Sequence, residues 1–407
     1  MRILMVSHGY PPTVSGVTLV VQKVARAMVQ RGHHVAVVTA SETGEPYRDE
    51  DEGVQLIRIR AAFNPFWKEA PIPFIGQNDL ERIVAEVRPD ILHAQESAFL
   101  GMQVARLANG AELPRIASCY FVPRFAARYL SWNDEPRQIV ESLMLMYSTW
   151  FYNHFDHVVF STDAHRAYFD SEDLTVPTSI ISNGIDVERY RPANAGTADQ
   201  DRAVEARHEL PPHPRILFVS RLAKDKEIDV LIEAMPALWE RHEAHLLLAG
   251  RGDDEGHLRE LTAKQGMEHC VHFLGFVPED DLPSIYRLSD LFAIASICEV
   301  QSLPTLQGAA TGLPLVATDA VALPELVHDG VNGFLVEPGE PEAVAGAISR
   351  ILSDPQLAAR MGQASVPIGR EHANSRTFDC YENLYRDVIL ATSNRRQKRP
   401  ASARSRA

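Results

Sequence analysis

Short apolar runs recur along the chain, with a helix-length mixture of polar and apolar residues between each pair. Ile3–Val6, Val35–Val38, Val54–Ile59, Ile91–His93, Ile116–Ala117 and His157–Phe160 form a first series. A second begins at Ile216–Val219, continues through Leu246–Ala249 and ends at Phe334–Val336. Runs rich in Val, Ile and Leu suit strands buried on both faces, and alternation with helical patterns predicts βαβ units around parallel sheets, hence an α/β protein. The Asn183-Gly184 turn and the polar stretch Ala193–Arg207 separate the series, and further helices are predicted from about Pro341 to Gly362. Two domains follow, residues 1–190 and 214–376, with 191–213 as the connection.

Composition narrows this picture. A chain of 407 residues, 45% hydrophobic and 23% charged, accommodates two globular domains, each with its own core. A net charge of −14 argues against nucleic acid as a partner. Cys119, Cys270, Cys298 and Cys380 lie far apart, without metal-like or short disulfide spacing, which favours reduced thiols and a cytoplasmic location. Met1–Val6 is shorter than a signal peptide's apolar core, and no run approaches the roughly 18 apolar residues of a membrane span. Residues 391–407 end in the basic, Ser/Ala-rich stretch Arg395–Ala407, which is expected to be disordered. It reads either as a solvated tail or as a weak peripheral contact with anionic lipid at the inner membrane face, worth about 1 kcal/mol per cation.

The candidate chemistry is concentrated between Ile297 and Thr318. Glu299 stands at a predicted strand end, Ser302-Leu303 opens a helix, and Gln307 follows Glu299 by eight residues, slightly over two helical turns. A helix N-terminus offers unpaired N–H groups and the positive end of its dipole, so a phosphate can sit at Ser302-Leu303 with Glu299 free to bind hydroxyls beside it. An acidic residue capping an ordinary βα junction gives the same local pattern. Upstream, Arg221 and Lys226 follow the strand Ile216–Val219, and Gly250-x-Gly252 ends the strand Leu246–Ala249. In the first half, the loop Ser7–Thr18 carries Gly16 ahead of a helix over 19–31, where a residue without Cβ allows close approach of a phosphate or sugar.

Glu299, Gln307, the small-residue helix and the strand Leu315–Thr318 together resemble the donor signature of retaining family 4 glycosyltransferases of the GT-B fold. That signature has Glu at both positions; here the second is Gln307. Arg221…Lys226 looks like the segment that supplies two cations to the donor diphosphate, with Glu227 replacing the usual Gly. Gly250, the segment Gly275-Phe276-Val277 and Tyr286–Asp290 are similar in order and spacing. The resemblance implies two Rossmann-like domains facing each other across a deep cleft. The first binds acceptor, the second binds nucleotide sugar, and a terminal helix over 377–390 packs back on the first. It further implies Glu299, Arg221 and Lys226 as catalytic residues. Gly16, Gly250, Phe276, Val277, Ser302, Leu303 and Gln307 are the donor-binding residues it implies, with Gln307 on the ribose.

On the acceptor side, Tyr120 stands where much of the family has His, and Arg124 where one branch has Glu. Tyr120, a poor base at neutral pH with a reference pKa near 10, suits either hydrogen bonding to acceptor or a structural role. Arg124 suits an anionic group on the acceptor or an internal acid. The implied reaction transfers a hexose, from UDP- in preference to GDP-sugar, with retained anomeric configuration and without a metal or other cofactor. Three outcomes stay open. The acceptor is lipid or polyprenyl-like, with the apolar loop Asn64–Ile75 beside it, unless Trp67 and Phe74 pack into the core. Alternatively it is a soluble polyol, amino-cyclitol or secondary metabolite, or the protein binds nucleotide sugar without turnover.

Overall fold

The computed structural model describes residues 1–13, 15–62, 64, 71–107, 113–123, 134–169 and 173–398, without the side chains of 134–136 and 396–398. Arg124, Trp67 and the end of the basic tail lie outside the described residues. The chain divides into two compact units, Met1–Ser182 with Thr377–Ala407, and Asn183–Arg376. The first unit therefore ends before residue 190. Ile185 and Tyr190 pack into the second unit's core, and the Asn183 N–H is bonded to the Gln301 side chain at 2.6 Å. Nor is 191–213 a bare connection, since it contains the helix Ala198–Arg207.

The first unit is built on strands β1 (Arg2–Val6), β2 (His34–Ala40), β3 (Tyr47–Asp51), β4 (Val54–Ile59), β7 (Ile91–Ala94), β8 (Arg115–Ser118), β9 (His157–Phe160) and β10 (Thr178–Ile180). The short strands β5 (Ala61–Ala62) and β6 (Ile72–Pro73) pair separately. The main sheet runs β10-β9-β8-β7-β1-β2-β4-β3. It departs from the expected parallel arrangement at one edge, where β3 pairs antiparallel to β4. The polar sequence of β3 carries no hydrophobic signal, and a charged edge strand discourages pairing with another chain. Along β1 successive residues serve opposite faces: Leu4 and Val6 join one core cluster, Ile3 and Met5 another. Tyr381, Leu384, Tyr385 and Val388 of the terminal helix Asn374–Lys398 pack into the second of these clusters. The helix runs past the expected end at 390 into the stretch expected to be disordered, where Arg395 pairs with Asp156 at 2.6 Å. Helix α1 (Gly16–Gln30) opens with Ser15 and Thr18 capping one another reciprocally.

The second unit holds β11 (Arg215–Val219), β12 (His245–Ala249), β13 (Val271–Gly275), β14 (Leu291–Ile294), β15 (Leu315–Thr318) and β16 (Gly333–Val336). They form one parallel sheet in the order β13-β12-β11-β14-β15-β16. Every residue of β12, β14 and β15 is buried, as expected for strands covered by helices on both faces.

Candidate active site

Strand order reverses between β11 and β14, and open α/β sheets form their ligand crevice at the carboxyl ends of strands flanking such a reversal. The chain leaves β11 through Arg221 into a 3₁₀ turn at Lys224–Lys226, and leaves β14 through Glu299 into the helix Leu303–Thr311. The Lys226 ammonium lies 2.8 Å from Glu299 Oε1 and 3.1 Å from Asp225 Oδ2. Burial alone would depress its pKa, but the two carboxylates outweigh that and raise it above the ordinary lysine value. Arg221 is more loosely held, 3.5 Å from Asp225 Oδ1 and 58% exposed. The structure thus joins residues singled out separately in the sequence and adds Asp225, which had not been singled out although it is Lys226's neighbour.

Ser302 caps the helix: its hydroxyl accepts from the Thr305 N–H at 3.3 Å and is buried. That leaves Leu303, the first helical residue, with an N–H that has no intrahelical acceptor, while Pro304 contributes none. A phosphate at this terminus would meet the Leu303 backbone rather than the Ser302 side chain. The Tyr286 hydroxyl shares its one proton between Gln307 Oε1 and the Pro304 carbonyl, each at 3.1 Å. In the sequence Tyr286 is one residue of the motif Tyr286–Asp290, and its contact with Gln307 is not legible there.

Gly250 has a packing reason to be glycine. At φ +153°, a Cβ there would come within 1.8 Å of the Ser220 carbonyl oxygen, so glycine lets this loop support the backbone leading to Arg221. Phe276, just beyond β13, is 63% exposed, whereas Val277 is buried. Gly16 begins α1, and a Cβ at that position would meet nothing within 4 Å, leaving open space above the helix start.

The carboxyl end of the first unit's sheet is organised differently. Tyr120 donates to Gln95 Oε1 at 3.1 Å, and Gln95 Nε2 lies 3.0 Å from His93 Nδ1. His93 also reaches Ser118 Oγ and the Tyr385 hydroxyl, each at 2.8 Å. Burial, then the nearby Tyr381, pushes the Tyr120 phenol well above its usual range, which removes it as a base. Gln95 follows the end of β7 two residues after His93, and that spacing is the one sequence signal that could connect them. Nearby, Glu96 accepts from the Leu100 N–H at 2.9 Å and lies 3.8 Å from His8, while burial pushes its carboxyl up to about 7. Neither residue was singled out in the sequence.

Phe74 is 56% exposed, contrary to a place in the core, and helps line a groove of about 410 Å³ with Pro73, Ile75, Phe99, Met102 and Tyr147. On the helix Asp134–Tyr152, Ile139, Leu143, Met146, Tyr147 and Trp150 form an exposed apolar stripe at helical spacing. No helix of the described residues is long and apolar enough to cross a membrane. Among those residues, no group of three or more His, Cys, Asp or Glu is arranged to hold a metal ion.

A family model of group 1 glycosyl transferases matches residues 200–366, and one of glycosyltransferase family 4 matches residues 14–189. The chain is 29% identical over 365 residues to an uncharacterized glycosyltransferase of Methanocaldococcus jannaschii, covering 87% of this chain and 90% of that relative. A D-inositol 3-phosphate glycosyltransferase of Corynebacterium glutamicum is 33% identical over 222 residues, 52% of either chain. Among solved structures, sucrose-phosphate synthase from Thermosynechococcus elongatus superposes with a TM-score of 0.79 at 21% identity, covering 96% of this chain and 99% of that one. Anabaena HepE in complex with UDP-glucose gives 0.73 at 20% identity, with the same coverage of 96% and 99%. Two family models that between them span both units, together with neighbours sharing the two-sheet α/β architecture, identify the chain: it belongs to the family 4 glycosyltransferases of the GT-B fold.

Proposed function

We propose that this protein transfers a hexose from a nucleotide diphosphate sugar, UDP- in preference to GDP-, to a lipid or polyprenyl-like acceptor, retaining the anomeric configuration and needing no metal ion. The observation that carries the donor half is the convergence of Lys226, Glu299 and a helix N-terminus at the strand reversal of the second unit. Breaking the sugar–phosphate bond leaves negative charge on the diphosphate and positive charge on the ring. Lys226, Arg221 and the Leu303 N–H stabilise the first, in the place a cation such as Mg²⁺ would otherwise take. Glu299 holds sugar hydroxyls, Gln307 holds the ribose, and the exposed ring of Phe276 lies against the base. The departing phosphate oxygen takes the acceptor's proton, so no histidine is needed at Tyr120. A UDP donor fits the fold neighbour HepE, whose structure contains UDP-glucose.

The acceptor half rests on the first unit's apolar stripe and the groove beside Phe74, which suit a lipid chain. A second reading, a soluble polyol phosphate, is favoured by the relative named for D-inositol 3-phosphate. The deciding experiment incubates the full chain, in excess EDTA, with UDP- and GDP-hexoses and either polyprenyl phosphate in vesicles or inositol phosphate. Thermal stabilisation by a UDP-hexose, faster UDP release with the vesicles and an NMR-assigned product of unchanged anomeric configuration are expected. Faster release with inositol phosphate would move the acceptor to the soluble class. Inhibition by EDTA that Mg²⁺ reverses would end the metal-free mechanism, and absence of both binding and turnover would end the donor assignment.

A further inference from the structure

Two carboxylates face Lys226, and only Glu299 has a part in the proposed chemistry. Asp225 sits 3.1 Å from the ammonium on the opposite arm of the same contact and 3.5 Å from the Arg221 guanidinium. A carboxylate beside a diphosphate site repels the ligand, so its presence there calls for an offsetting benefit. The geometry points to one: we propose that Asp225 is a positioning residue that keeps the Lys226 ammonium over the diphosphate when Glu299 turns to the donor sugar. The inference rests on the donor-site reading above.

An ammonium has three N–H donors on a flexible four-carbon stem. Glu299 and Asp225 each take one and a third remains for a phosphate oxygen. Once Glu299 engages sugar hydroxyls, Lys226 loses its shorter contact, and without a second anchor the stem is free to swing away. Asp225 can serve as that anchor because its own backbone is pinned. Its carbonyl accepts from Ser296 Oγ at 3.2 Å, Ser296 is buried, and the Ser296 carbonyl accepts from Thr318 Oγ1 on β15 at 2.6 Å. The 3₁₀ turn is closed by the Lys226 N–H on the Ala223 carbonyl at 2.9 Å. The Asp225 side chain is itself only 12% exposed, so solvent does not compete freely for it. Arg221, at a longer distance and mostly exposed, gains less from the same anchor.

The test uses the full-length protein, UDP as binding probe and UDP-glucose as turnover probe. Asp225→Asn keeps the shape and removes the charge. If Asp225 positions Lys226, kcat for UDP release falls about tenfold or more while the UDP Kd stays within about threefold of wild type or tightens, because a repelling charge has gone. Asp225→Glu, which restores the charge, recovers part of the lost kcat. A structural role would lower UDP affinity, kcat and Tm together; that pattern, or an Asp225→Asn kcat within about twofold of wild type, overturns the proposal. Lys226→Ala separates the two levels. Wild-type turnover in Lys226→Ala overturns the donor-site reading and this inference with it, whereas a collapse there beside an unaffected Asp225→Asn overturns the positioning role alone.

Discussion

The two units are both doubly wound α/β layers, yet the carboxyl ends of their sheets are built on different principles. In the second unit, charged groups from two strand ends meet directly, Lys226 between Glu299 and Asp225. In the first, neutral side chains from β7, the end of β8 and the terminal helix form a buried relay through His93, Gln95, Ser118, Tyr120 and Tyr385. The contrast follows from the proposed ligands. A diphosphate demands fixed positive charge and a helix terminus whatever sugar it carries, so that chemistry recurs as a short motif. An acceptor demands shape and hydrogen bonds suited to itself, which many unrelated residues supply.

The contrast breaks most sharply at Lys226. Loss of a charge-assisted bond to a diphosphate costs about 1.5–3 kcal/mol, a loss in turnover of roughly tenfold to over a hundredfold. Lys226→Ala belongs at the upper end because its side chain is 13% exposed, and Arg221→Ala near the lower end because its side chain is 58% exposed and solvent screens its charge. Steady-state UDP release by the two variants measures the ranking. Equal losses would mean that burial does not grade the two cations, and wild-type turnover in either would remove that residue from the site.

A second cut separates the roles of Glu299 and Gln307. If Glu299 binds hydroxyls as charge develops on the ring, Glu299→Gln lowers kcat by about tenfold or more, because only interactions stronger in the transition state raise turnover. Gln307 is proposed to bind ribose, remote from the breaking bond, so Gln307→Ala should mainly raise the donor KM. Gln307→Glu should be tolerated, since a carboxylate can still accept from Tyr286. A kcat collapse in Gln307→Glu beside an unaffected Glu299→Gln would reverse the assignment.

These variants also mark how far the sequence alone reaches. Strands of the second unit were legible where residues buried on both faces leave continuous apolar runs, as in β12 and β15. Glu299, Lys226 and Ser302 were legible because a strand end followed by a helix start places them on one edge. Asp225 was not, because an acid next to a lysine is ordinary surface composition until the fold shows it turned inward. Strand β3 escaped notice for the opposite reason to β12: an edge strand without an apolar face has no periodicity to detect. The relay in the first unit was hidden because Tyr385 and His93 are 292 residues apart.

Acid should expose the first unit before the second. Burial lowers His93 to about 3 and His165 to about 4, against an unfolded value near 6.5. A depressed histidine leaves stability intact above the unfolded pKa and withdraws it as pH falls toward the folded value, because only the unfolded chain takes up the proton. Each of the two should cost about 2 kcal/mol at pH 5 relative to pH 7.5. Glu96 in the same unit, raised to about 7, takes up its proton in the folded state and offsets about 2 kcal/mol, leaving a net loss of about 2 kcal/mol. In the second unit, His245 and His272 are also lowered, by burial and then by neighbouring histidines, but solvent reaches His272 and softens the effect. Hydrogen exchange at the two pH values should therefore show amide protection falling faster in β7–β9 than in β11–β14. A pH-independent pattern, or earlier loss in the second unit, would contradict this.

The smallest expected effect lies beside the largest. Glu227, directly after Lys226, adopts φ 45° and ψ 46°, the left-handed region that costs a residue with a Cβ about 1 kcal/mol. The resemblance places glycine there, and glycine reaches this conformation without that penalty. Part of the gain is lost because glycine has more freedom to lose on folding, so Glu227→Gly should stabilise the protein by no more than about 1 kcal/mol. Its effect on turnover carries the information. If the left-handed turn serves only to aim Lys226, the same turn forms with glycine and kcat is unchanged. If the Glu227 side chain itself acts at the site, kcat falls although stability rises. Urea unfolding and UDP release measured on one preparation distinguish these, and a less stable variant with wild-type kcat would show that contacts of the Glu227 side chain outweigh the strain in its backbone.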